Sequence, residues 1–463
     1  MNNTDKTILA LDIGTSHIVS IIAKHDLNEK INILGVGKVQ SAGINKGNIV
    51  DIELASSAIK DAVMISRSSC EVEIDETFVT VSGVNTRSIR SKGATNIPSG
   101  HITANDIKLV LTRALYEVQI SPEYEAIHVI PLYFTVDDNN SIENPLNING
   151  SRLEVHANII MAKKSALVNI RNSLKNSGLE DINYVLTPYA SSMATLDSDN
   201  KKLGSMVIDL GGSTSEFALY SNKAMSFNDV IPIGGDHLTN DLSLILKTPL
   251  SSADEIKKKH ASLIPNLDDD IHPLEKIQVP LLGNESIHED VSLDYIQKIT
   301  HARVEEILVL IQQKILNSGL YNNVNSIVLT GGTSKILGIE LLAKEVYQGI
   351  NIQIKNPKNI QNGYVNFNDP TLSAIAGLIL YALDTDPILE LDSNKKLRVK
   401  TPKRITPIQE EPIIRDTRST EQMGSRGAQT QYETNQTLNQ APKSNEQQTS
   451  PISKLMKKIS EWI

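Results

Sequence analysis

Two stretches of the chain repeat a pattern of apolar strand, short polar bend and second apolar strand. Residues 7–23 read TILALDIGTSHIVSIIA, in which Asp12 ends a continuous apolar run and a run rich in β-branched residues follows the bend. Residues 205–220 read SMVIDLGGSTSEFALY and place Asp209 at the same point. Continuous apolar runs bounded by turn residues are typical of buried strands, so each stretch predicts a β-hairpin with an acid at its bend. Two copies about 200 residues apart predict an internally duplicated architecture.

A third glycine site predicts a strand, a turn and a helix in direct succession. Residues 327–329 supply the strand, and Gly331 and Gly332 supply the turn. The N-terminus of a helix attracts anions through its free N–H groups, so this junction is a candidate anion site. The apolar stripe of the predicted helix comprises Ile336, Ile339, Leu342, Ala343 and Val346.

The remaining pattern predicts one inserted subdomain and one unfolded segment. Residues 84–163 lie between the hairpins and have strand patterns at 127–136 and 153–162, with a helix near 104–118, which predicts a separate subdomain. From residue 389 to 450 the chain is rich in Thr, Gln, Asn, Ser, Pro and charge. Such a segment cannot bury enough apolar surface to offset its ordering entropy, so we predict a disordered linker.

Composition narrows the class of protein. The 45 basic and 54 acidic residues give a net charge of −9 and the basic ones are scattered, so nucleic acid is not expected as the main ligand. Cys70 is the single cysteine, which excludes a disulfide within the chain and fits a reducing compartment. The first apolar run has no basic segment before it, and the longest apolar run, 372–383, is shorter than the ~20 residues of a membrane span. We therefore expect neither a signal peptide nor a transmembrane helix.

The two hairpin bends have the chemistry of a phosphate site. Glycines let backbone N–H groups approach an anion closely, and the neighbouring Ser and Thr hydroxyls add hydrogen-bond donors. The carboxylates of Asp12 and Asp209 would repel a polyphosphate unless a divalent cation stood between them, so magnesium held largely through water is expected. Asp209 could also orient an attacking water. A single bend of this kind is more often an ordinary turn, and the phosphate interpretation rests on both bends and the third glycine site together.

Together these motifs resemble the phosphate-1, phosphate-2 and adenosine motifs of the actin, hexokinase and Hsp70 ATPase superfamily. In particular, the chain resembles the FtsA family of bacterial cell-division proteins over about residues 7–383 and again at its C-terminal end. The segments that carry this resemblance are LDIGTSHIVSIIA (11–23), VIPLYFTVDDNNSIENPLNING (129–150), VIDLGGSTSEFALY (207–220) and SIVLTGGTSKILGI (326–339).

The resemblance implies an α/β fold of the actin-like type. Two lobes, built on duplicated RNase H-like domains, would bind ATP and magnesium between them, with an inserted subdomain 1C, a disordered C-terminal tether and an amphipathic terminal helix. The implied boundaries are 1–83 and 164–203 for subdomain 1A, 84–163 for 1C, 204–232 and 306–388 for 2A, 233–305 for 2B, 389–450 for the linker and 451–463 for the terminal helix.

The resemblance also assigns nucleotide contacts residue by residue. The bend at Gly234 and Gly235 would lie beside the ribose or the phosphates, with a plain helix N-cap by Asp236 as the alternative. Asp254 and Lys257 would contact the adenosine, or else form a solvated pair on a helix face. The motif positions are Asp12, Gly14, Thr15 and Ser16 in phosphate-1, Asp209, Gly211, Gly212, Ser213 and Thr214 in phosphate-2, and Gly331, Gly332 and Thr333 in the adenosine motif.

Two positions depart from the family pattern. His17 stands where many relatives carry a lysine or arginine that touches the phosphates, and Ser213 replaces the third glycine of the phosphate-2 run. A missing cation leaves charge in the transition state less well compensated. We therefore expect ATP binding with at most slow hydrolysis.

Residues 451–463, PISKLMKKISEWI, have the pattern of an amphipathic helix. An apolar face with lysines away from it is typical of helices that lie on anionic membrane surfaces. The alternative is docking on the protein's own core or in a partner groove. The resemblance adds a membrane-targeting sequence at this place. The apolar face comprises Ile452, Leu455, Met456, Ile459, Trp462 and Ile463, and the lysines are Lys454, Lys457 and Lys458.

The function implied by the resemblance is that of a division scaffold. Such a protein polymerises on the cytoplasmic face of the inner membrane at the division site, anchors the FtsZ ring by binding the FtsZ C-terminal tail, and recruits later division proteins through 1C. Two alternatives stay open: a pilus-assembly relative with the same fold, such as PilM, and an enzyme of the superfamily. A small-molecule kinase would need an aspartate facing a polyol pocket, and a chaperone ATPase would need a substrate-binding β-domain after the lobes.

Overall fold

The structure is a computed structural model, and it describes residues 6–25, 30–264, 275–358, 360, 365–383 and 389–399. All of them belong to one compact unit, which spans Met1–Lys400. The predicted terminal helix at 451–463, and the predicted linker from residue 400 onward, lie outside the described residues.

Strands and helices alternate along the described chain. The strands are β1 (Thr7–Ile13), β2 (His17–His25), β3 (Ile31–Gln40), β4 (Ile44–Asn45), β5 (Asn48–Ile49), β6 (Glu76–Val81), β7 (Thr86–Asn96), β8 (Tyr124–Val136), β9 (Asn139–Ile142), β10 (Arg152–Lys163), β11 (Ile182–Leu186), β12 (Ser205–Leu210), β13 (Ser215–Ser221), β14 (Ala224–Ile231), β15 (Lys276–Leu281), β16 (Asn284–Ser292), β17 (Ser326–Thr330), β18 (Asn351–Ile354), β19 (Glu390–Leu391) and β20 (Leu397–Arg398). The α-helices are α1 (Ile52–Arg67), α2 (Ala104–Glu117), α3 (Lys164–Asn176), α4 (Thr187–Thr195), α5 (Ser198–Leu203), α6 (Gly235–Ile245), α7 (Leu250–His260), α8 (Leu293–Asn317), α9 (Ile339–Val346) and α10 (Ser373–Ala382).

Two five-stranded sheets repeat one topology, which confirms the predicted duplication. The first has the order β11-β6-β1-β2-β3, with β1 antiparallel to β2 and parallel to β6. The second has the order β14-β13-β12-β17-β18, with β12 antiparallel to β13 and parallel to β17. Asp12 and Asp209 are the penultimate residues of β1 and β12, so the two acids occupy equivalent places at the ends of equivalent strands.

Helices α4 and α10 pack against both of these sheets. One buried cluster joins Ile375 of α10 to Leu9 in the first sheet and Val207 in the second. Gly377 lets the two helices cross closely, because a Cβ at this position would overlap the carbonyl group of Ala190 in α4. Helix α10, which falls within the boundary predicted for 2A, 306–388, is apolar on nearly every side and is buried against the first sheet as well.

The inserted subdomain is a third sheet covered by one helix. Its order is β20-β19-β8-β10-β7, with β9 paired to β8, and α2 packs on β7 and β10. Strands β7 to β10 come from the predicted insertion, 84–163, whereas β19 and β20 come from residues assigned to the disordered linker. That assignment is corrected for residues 389–399, because Leu391 pairs with Val129 of β8 and joins the buried core of this sheet.

Subdomain 2B combines two helices, a hairpin and half of a long helix. Helices α6 and α7, strands β15 and β16 and the first turns of α8 share a small apolar cluster that includes Leu242, Ala253 and Ile296. The later turns of α8 pack on the second sheet through residues such as Leu308, so the predicted boundary at 305 falls inside this continuous helix. Within the described residues no helix is both long and apolar enough to cross a membrane.

Candidate functional site

The bends after β1 and β12 have the same internal hydrogen bond. The amide of Gly14 donates to the carbonyl of His17 at 3.1 Å, and the amide of Gly211 donates to the carbonyl of Thr214 at 2.9 Å. A Cβ at either glycine would lie 2.9 Å from that carbonyl oxygen, which is closer than real side chains approach. Each bend therefore requires glycine at its first position, because a side chain there would collide with the carbonyl oxygen three residues later.

The tips of the two bends touch each other. Thr15 Oγ1 and Ser213 Oγ form a 2.6 Å hydrogen bond across 198 residues of sequence. Beside this bond, Gly212 faces Ser16 Oγ, and a Cβ on Gly212 would also lie 2.9 Å from Asp236 Oδ2. The two bends therefore meet at one place, and Ser213, the departure from the pattern that the resemblance implies, makes the contact between them.

The two acids, which lie at the ends of the strands that lead into these bends, accept hydrogen bonds from hydroxyl groups. Thr80 Oγ1 donates to Asp12 Oδ1 at 2.7 Å, and Ser191 Oγ donates to Asp209 Oδ2 at 2.5 Å. Burial raises the pKa of Asp12, and the hydrogen bond from Thr80 opposes the rise only in part. Burial raises the pKa of Asp209 to about 6, against the Ser191 hydrogen bond and with help from the negative charge of Asp12.

These raised pKa values indicate that a cation would suit the pair. Two buried carboxylates that repel each other gain stability when a positive charge neutralises them. The described residues contain no group of three or more His, Cys, Asp or Glu side chains that could hold a metal ion by themselves. A magnesium ion at Asp12 and Asp209 would therefore need water and phosphate oxygens as its other ligands, which is its usual preference.

The third glycine site closes over Asp209. Gly331 has φ of +84°, and a Cβ there would lie 2.7 Å from the carbonyl oxygen of Leu210 and would also overlap the Asp209 carboxylate. Thr333 Oγ1 donates to the carbonyl of Gly211 at 3.0 Å. This loop is thus joined directly to the phosphate-2 bend, and Gly332 beside it is exposed.

The predicted helix does not follow this glycine turn at once. A 3-10 helix, Gly332–Lys335, comes first, and α9 begins only at Ile339 after Gly338 in the left-handed conformation. Ile336 consequently lies outside the helix whose stripe it was predicted to join. The expectation of an α-helix N-terminus at the turn is wrong, because Gly338 interrupts the helical run.

The N-terminus of α6 binds the phosphate-2 bend instead. The amide of Gly235 donates to the carbonyl of Gly211 at 3.0 Å, and the amide of Asp236 donates to the carbonyl of Gly212 at 2.7 Å. Gly234 is the N-cap residue, and Asp236 lies in the first turn. The Gly234 and Gly235 bend therefore lies next to the phosphate-2 residues, and Gly234 rather than Asp236 is the N-cap.

Asp254 and Lys257 attach α7 to the first turn of α6. Lys257 Nζ lies 2.7 Å from Asp254 Oδ1 and donates to Thr239 Oγ1 at 2.8 Å and to the carbonyl of Gly235 at 3.4 Å. Burial raises the pKa of Asp254, but the hydrogen bonds and charges of Lys257 and Lys258 outweigh it, so the pKa is lowered. Lys257 is only 16% exposed, so the pair is more than a solvated one on a helix face.

Lysines that sequence reasoning missed lie near the other departure, His17. Burial and the positive charges of Lys38 and Lys258 lower the pKa of His17, whereas Asp254 and Asp236 oppose the shift. Lys38 lies on β3, opposite Val19, and Lys258 reaches the same region from α7. Positive charge is therefore present near the phosphate-1 bend even though the motif itself carries histidine.

Glu216 is a second residue that sequence reasoning missed. It pairs directly with Asp209 across the β12–β13 hairpin and is 3% exposed. Its Oε1 accepts hydrogen bonds from Ser82 and Thr214. Burial raises the pKa of Glu216 to about 7, the Ser82 hydrogen bond opposes this, and the charge of Asp209 adds to it. Counting the hairpin register outward from its bend would have found Glu216, because residues opposite each other share one face.

Comparison with known proteins places the chain in a family. Residues 206–377 match the family described as "Cell division protein FtsA", and residues 83–161 match the "SHS2 domain inserted in FTSA", which confirms the predicted insertion. The cell division protein FtsA of Pseudomonas aeruginosa is 30% identical over 379 residues, covering 82% of this chain and 89% of that protein. That of Borreliella burgdorferi is 32% identical over 377 residues, covering 81% and 90%.

A solved structure supports the fold. The PilM-PilN type IV pilus biogenesis complex aligns with a TM-score of 0.58 and 14% identity, covering 81% of this chain and 98% of that one. At this identity the likeness concerns the fold alone, which is the actin-like two-lobed architecture predicted from the sequence. The chain has the two equivalent hairpins and the inserted subdomain, and the relatives at about 30% identity are FtsA proteins. The chain therefore belongs to the FtsA family of cell division proteins.

Proposed function

We propose that this protein binds ATP with magnesium between its two hairpin bends and acts as a membrane-anchored scaffold for the division ring. The observation that carries the nucleotide part is the 2.6 Å contact between Thr15 and Ser213, which brings two phosphate-type bends to one place. The loop at Gly331 and Thr333 is joined to the same bend. Three segments distant in sequence therefore supply one candidate polyphosphate site.

The bends would bind the phosphates through backbone amides and hydroxyls. Glycines keep the backbone accessible, and Thr15, Ser16, Ser213 and Thr214 supply the hydroxyls. Asp12 and Asp209 would hold magnesium through water, and the ion would neutralise the charge that the phosphates and carboxylates share. Asp209 would also orient a water.

The adenosine would lie toward 2B and the third glycine site. Gly234, Gly235, Asp254 and Lys257 form one connected group at the first turn of α6. Gly332 is exposed beside Thr333, which leaves its backbone open to a ligand. A ligand that touches 1A, 2A and 2B together favours the closed arrangement of the lobes, so ATP would act mainly as a conformational ligand.

The scaffold part of the proposal rests on family membership and on the sequence of the C-terminal region. The pattern of residues 451–463 supports an amphipathic helix that lies on the cytoplasmic face of the inner membrane. One short helix binds weakly, and many copies in a polymer bind well through avidity. We include self-polymerisation, binding of the FtsZ C-terminal tail and recruitment of later division proteins through 1C as parts of the same proposal.

Calorimetry tests the nucleotide site. Wild-type protein should bind ATP in the presence of magnesium, and Asp209→Ala should weaken the affinity by about tenfold or more because a charged magnesium partner is lost. Asp61→Ala, an exposed aspartate on α1, is the matched control and should leave the affinity unchanged. Equal affinities of Asp209→Ala and wild type would contradict the assignment of this cleft.

A further inference from the structure

One carboxylate oxygen of Glu216 joins the phosphate-2 bend to the start of subdomain 1C. It accepts from Thr214 Oγ1, at the end of the bend, at 3.3 Å, and from Ser82 Oγ. Ser82 lies where the chain leaves β6 of the first sheet and enters the 3-10 helix Gly83–Asn85 that leads into 1C. We call residues 82–85 the root of 1C.

The same root also contacts the phosphate-1 side. A Cβ on Gly47 would overlap the side chain of Ser82, and the amide of Gly47 donates to Thr15 Oγ1 at 3.2 Å. Thr15 in turn bonds to Ser213 across the cleft. The contacts therefore form a closed ring through both bends, and Glu216 is the member that connects the second lobe to the root.

The link uses one acceptor oxygen that both hydroxyls share. Burying a carboxylate costs free energy, and a neutral amide side chain can offer the same kind of acceptor oxygen. The second oxygen, Oε2, is buried and lies 3.3 Å from where a Cβ on Gly83 would be, and a backbone hydrogen bond from Gly83 lowers the pKa of Glu216 against the rise caused by burial. A carboxylate accepts only, so it directs the hydroxyl protons of both Ser82 and Thr214 toward itself.

We infer that Glu216 is a positioning residue that transmits occupancy of the nucleotide cleft to the root of subdomain 1C. This inference rests on the proposed function, because it requires a ligand at the phosphate-2 bend. A bound phosphate restrains Thr214, which is two residues from Glu216 on the same hairpin, and Glu216 holds Ser82. A ligand that orders one end of such a link lowers the entropic cost of ordering the other end. By the same coupling, ordering the root of 1C should strengthen binding of the ligand.

Hydrogen exchange combined with calorimetry tests this coupling in the full-length protein. Adding MgATP to the wild type should slow amide exchange at residues 83–86 by about threefold or more. Glu216→Ala and Ser82→Ala should each still bind MgATP but show no slowing at the root. Glu216→Gln, which keeps a carbonyl acceptor for both hydroxyls, should restore the response. Ser226→Ala, a buried serine on β14 that touches neither bend nor root, is the control and should respond like the wild type.

The outcomes separate this inference from the proposed function. MgATP binding by the wild type without slower exchange at the root would overturn the coupling alone, and so would a full response in both Glu216→Ala and Ser82→Ala. No MgATP binding by the wild type in calorimetry would overturn the proposed function and the coupling together. Ser82→Ala changes one small hydroxyl from the opposite side of the link, so the test stands even if Glu216→Ala does not fold.

Discussion

The hydroxyl oxygens of Thr15 and Ser213 lie 2.6 Å apart, although 198 residues separate them in the chain. This single bond links the two lobes at the tips of their equivalent hairpins. A glycine at position 213, the residue that the resemblance implies there, would lack it. The departure from the family pattern is therefore compatible with the cleft and adds a contact between the bends.

Ser213→Ala should lower the free energy of unfolding of the nucleotide-free protein by about 1 kcal/mol, because the bond to Thr15 is lost. The difference should shrink when MgATP is added, since phosphate oxygens then offer Thr15 another partner. Urea unfolding with and without MgATP measures both values. Ser99→Ala, an exposed serine in 1C, is the control. An equal loss with and without nucleotide would show that the bond is unrelated to the ligand.

Asp209→Asn should stabilise the protein in the absence of nucleotide and magnesium at neutral pH. The pKa of Asp209 is raised from 3.8 to about 6 by burial, so the folded state loses stability as pH rises from about 4 to about 6. Asparagine cannot ionise, so this loss is absent from the variant. Its free energy of unfolding should exceed that of the wild type by about 3 kcal/mol above pH 6, and the difference should vanish below pH 4. Urea unfolding of both proteins between pH 4 and 8 measures this difference in the free energy of unfolding.

The exposed Asp61→Asn serves as the control for this prediction and should change stability by less than about 0.5 kcal/mol at any pH. A gain for Asp209→Asn that is the same at pH 4 and pH 8 would contradict the buried-charge explanation. MgATP affinity should fall in the same variant.

Gly331→Ala should be more damaging than the same change at Gly349. Both glycines have positive φ, +84° and +81°, so alanine is strained at either place. A Cβ at Gly331 also meets the Asp209 carboxylate and Leu210, whereas a Cβ at Gly349 has nothing within 4 Å. We expect a loss of about 1 kcal/mol for Gly349→Ala and about 3 kcal/mol or more for Gly331→Ala in urea unfolding. Equal losses would show that Gly331 does not pack on Asp209.

Removing residues 389–399 should destabilise the junction between 1A and 1C. Glu390 is fully buried and accepts hydrogen bonds from Tyr189 at 3.0 Å and Tyr381 at 2.6 Å. Without it, these two hydroxyls lose their carboxylate partner, and burial of unpartnered polar groups costs about 1 to 3 kcal/mol each. A chain ending at residue 388 should therefore unfold several degrees below a chain ending at 399 in thermal denaturation. Equal midpoints would contradict this packing.

Deleting residues 451–463 should abolish co-sedimentation with anionic lipid vesicles while leaving MgATP binding intact. The physical reason is that the apolar face and the lysines of this segment supply the membrane affinity. Replacing Lys454, Lys457 and Lys458 with glutamine should weaken the binding and reduce its salt dependence. A control deletion of the same length within the linker should leave co-sedimentation with the vesicles unchanged. Undiminished sedimentation without the segment would contradict the proposed anchor.

The hairpins and the insertion could be predicted because their signals are local. A continuous apolar run, an acid and a glycine bend specify the β1–β2 and β12–β13 pairs within about 16 residues each. The partners of the acids could not be predicted in this way. Thr80 and Ser191 lie on other elements, and only the tertiary fold brings their hydroxyls to Asp12 and Asp209.

The sequence predicts a linker that begins at residue 389, and this start is wrong because the contacts of residues 389–399 are not local. Residues 389–399 are polar in composition, and composition alone predicts disorder. Glu390 and Leu391 are nevertheless buried, because one carboxylate meets two tyrosine hydroxyls and one strand edge offers a free pairing position. Two of these contacts, with Tyr189 and Val129, lie about 200 to 260 residues away in the sequence, and no window of local pattern includes them.

A crystal structure with magnesium and a non-hydrolysable ATP analogue would show whether the two bends and the Gly331 loop bind one nucleotide. We expect the phosphates between residues 14–16 and 211–214, with magnesium near Asp12 and Asp209 and the adenosine toward Lys257. Nucleotide bound elsewhere, or bends that point away from it, would contradict the proposed nucleotide site.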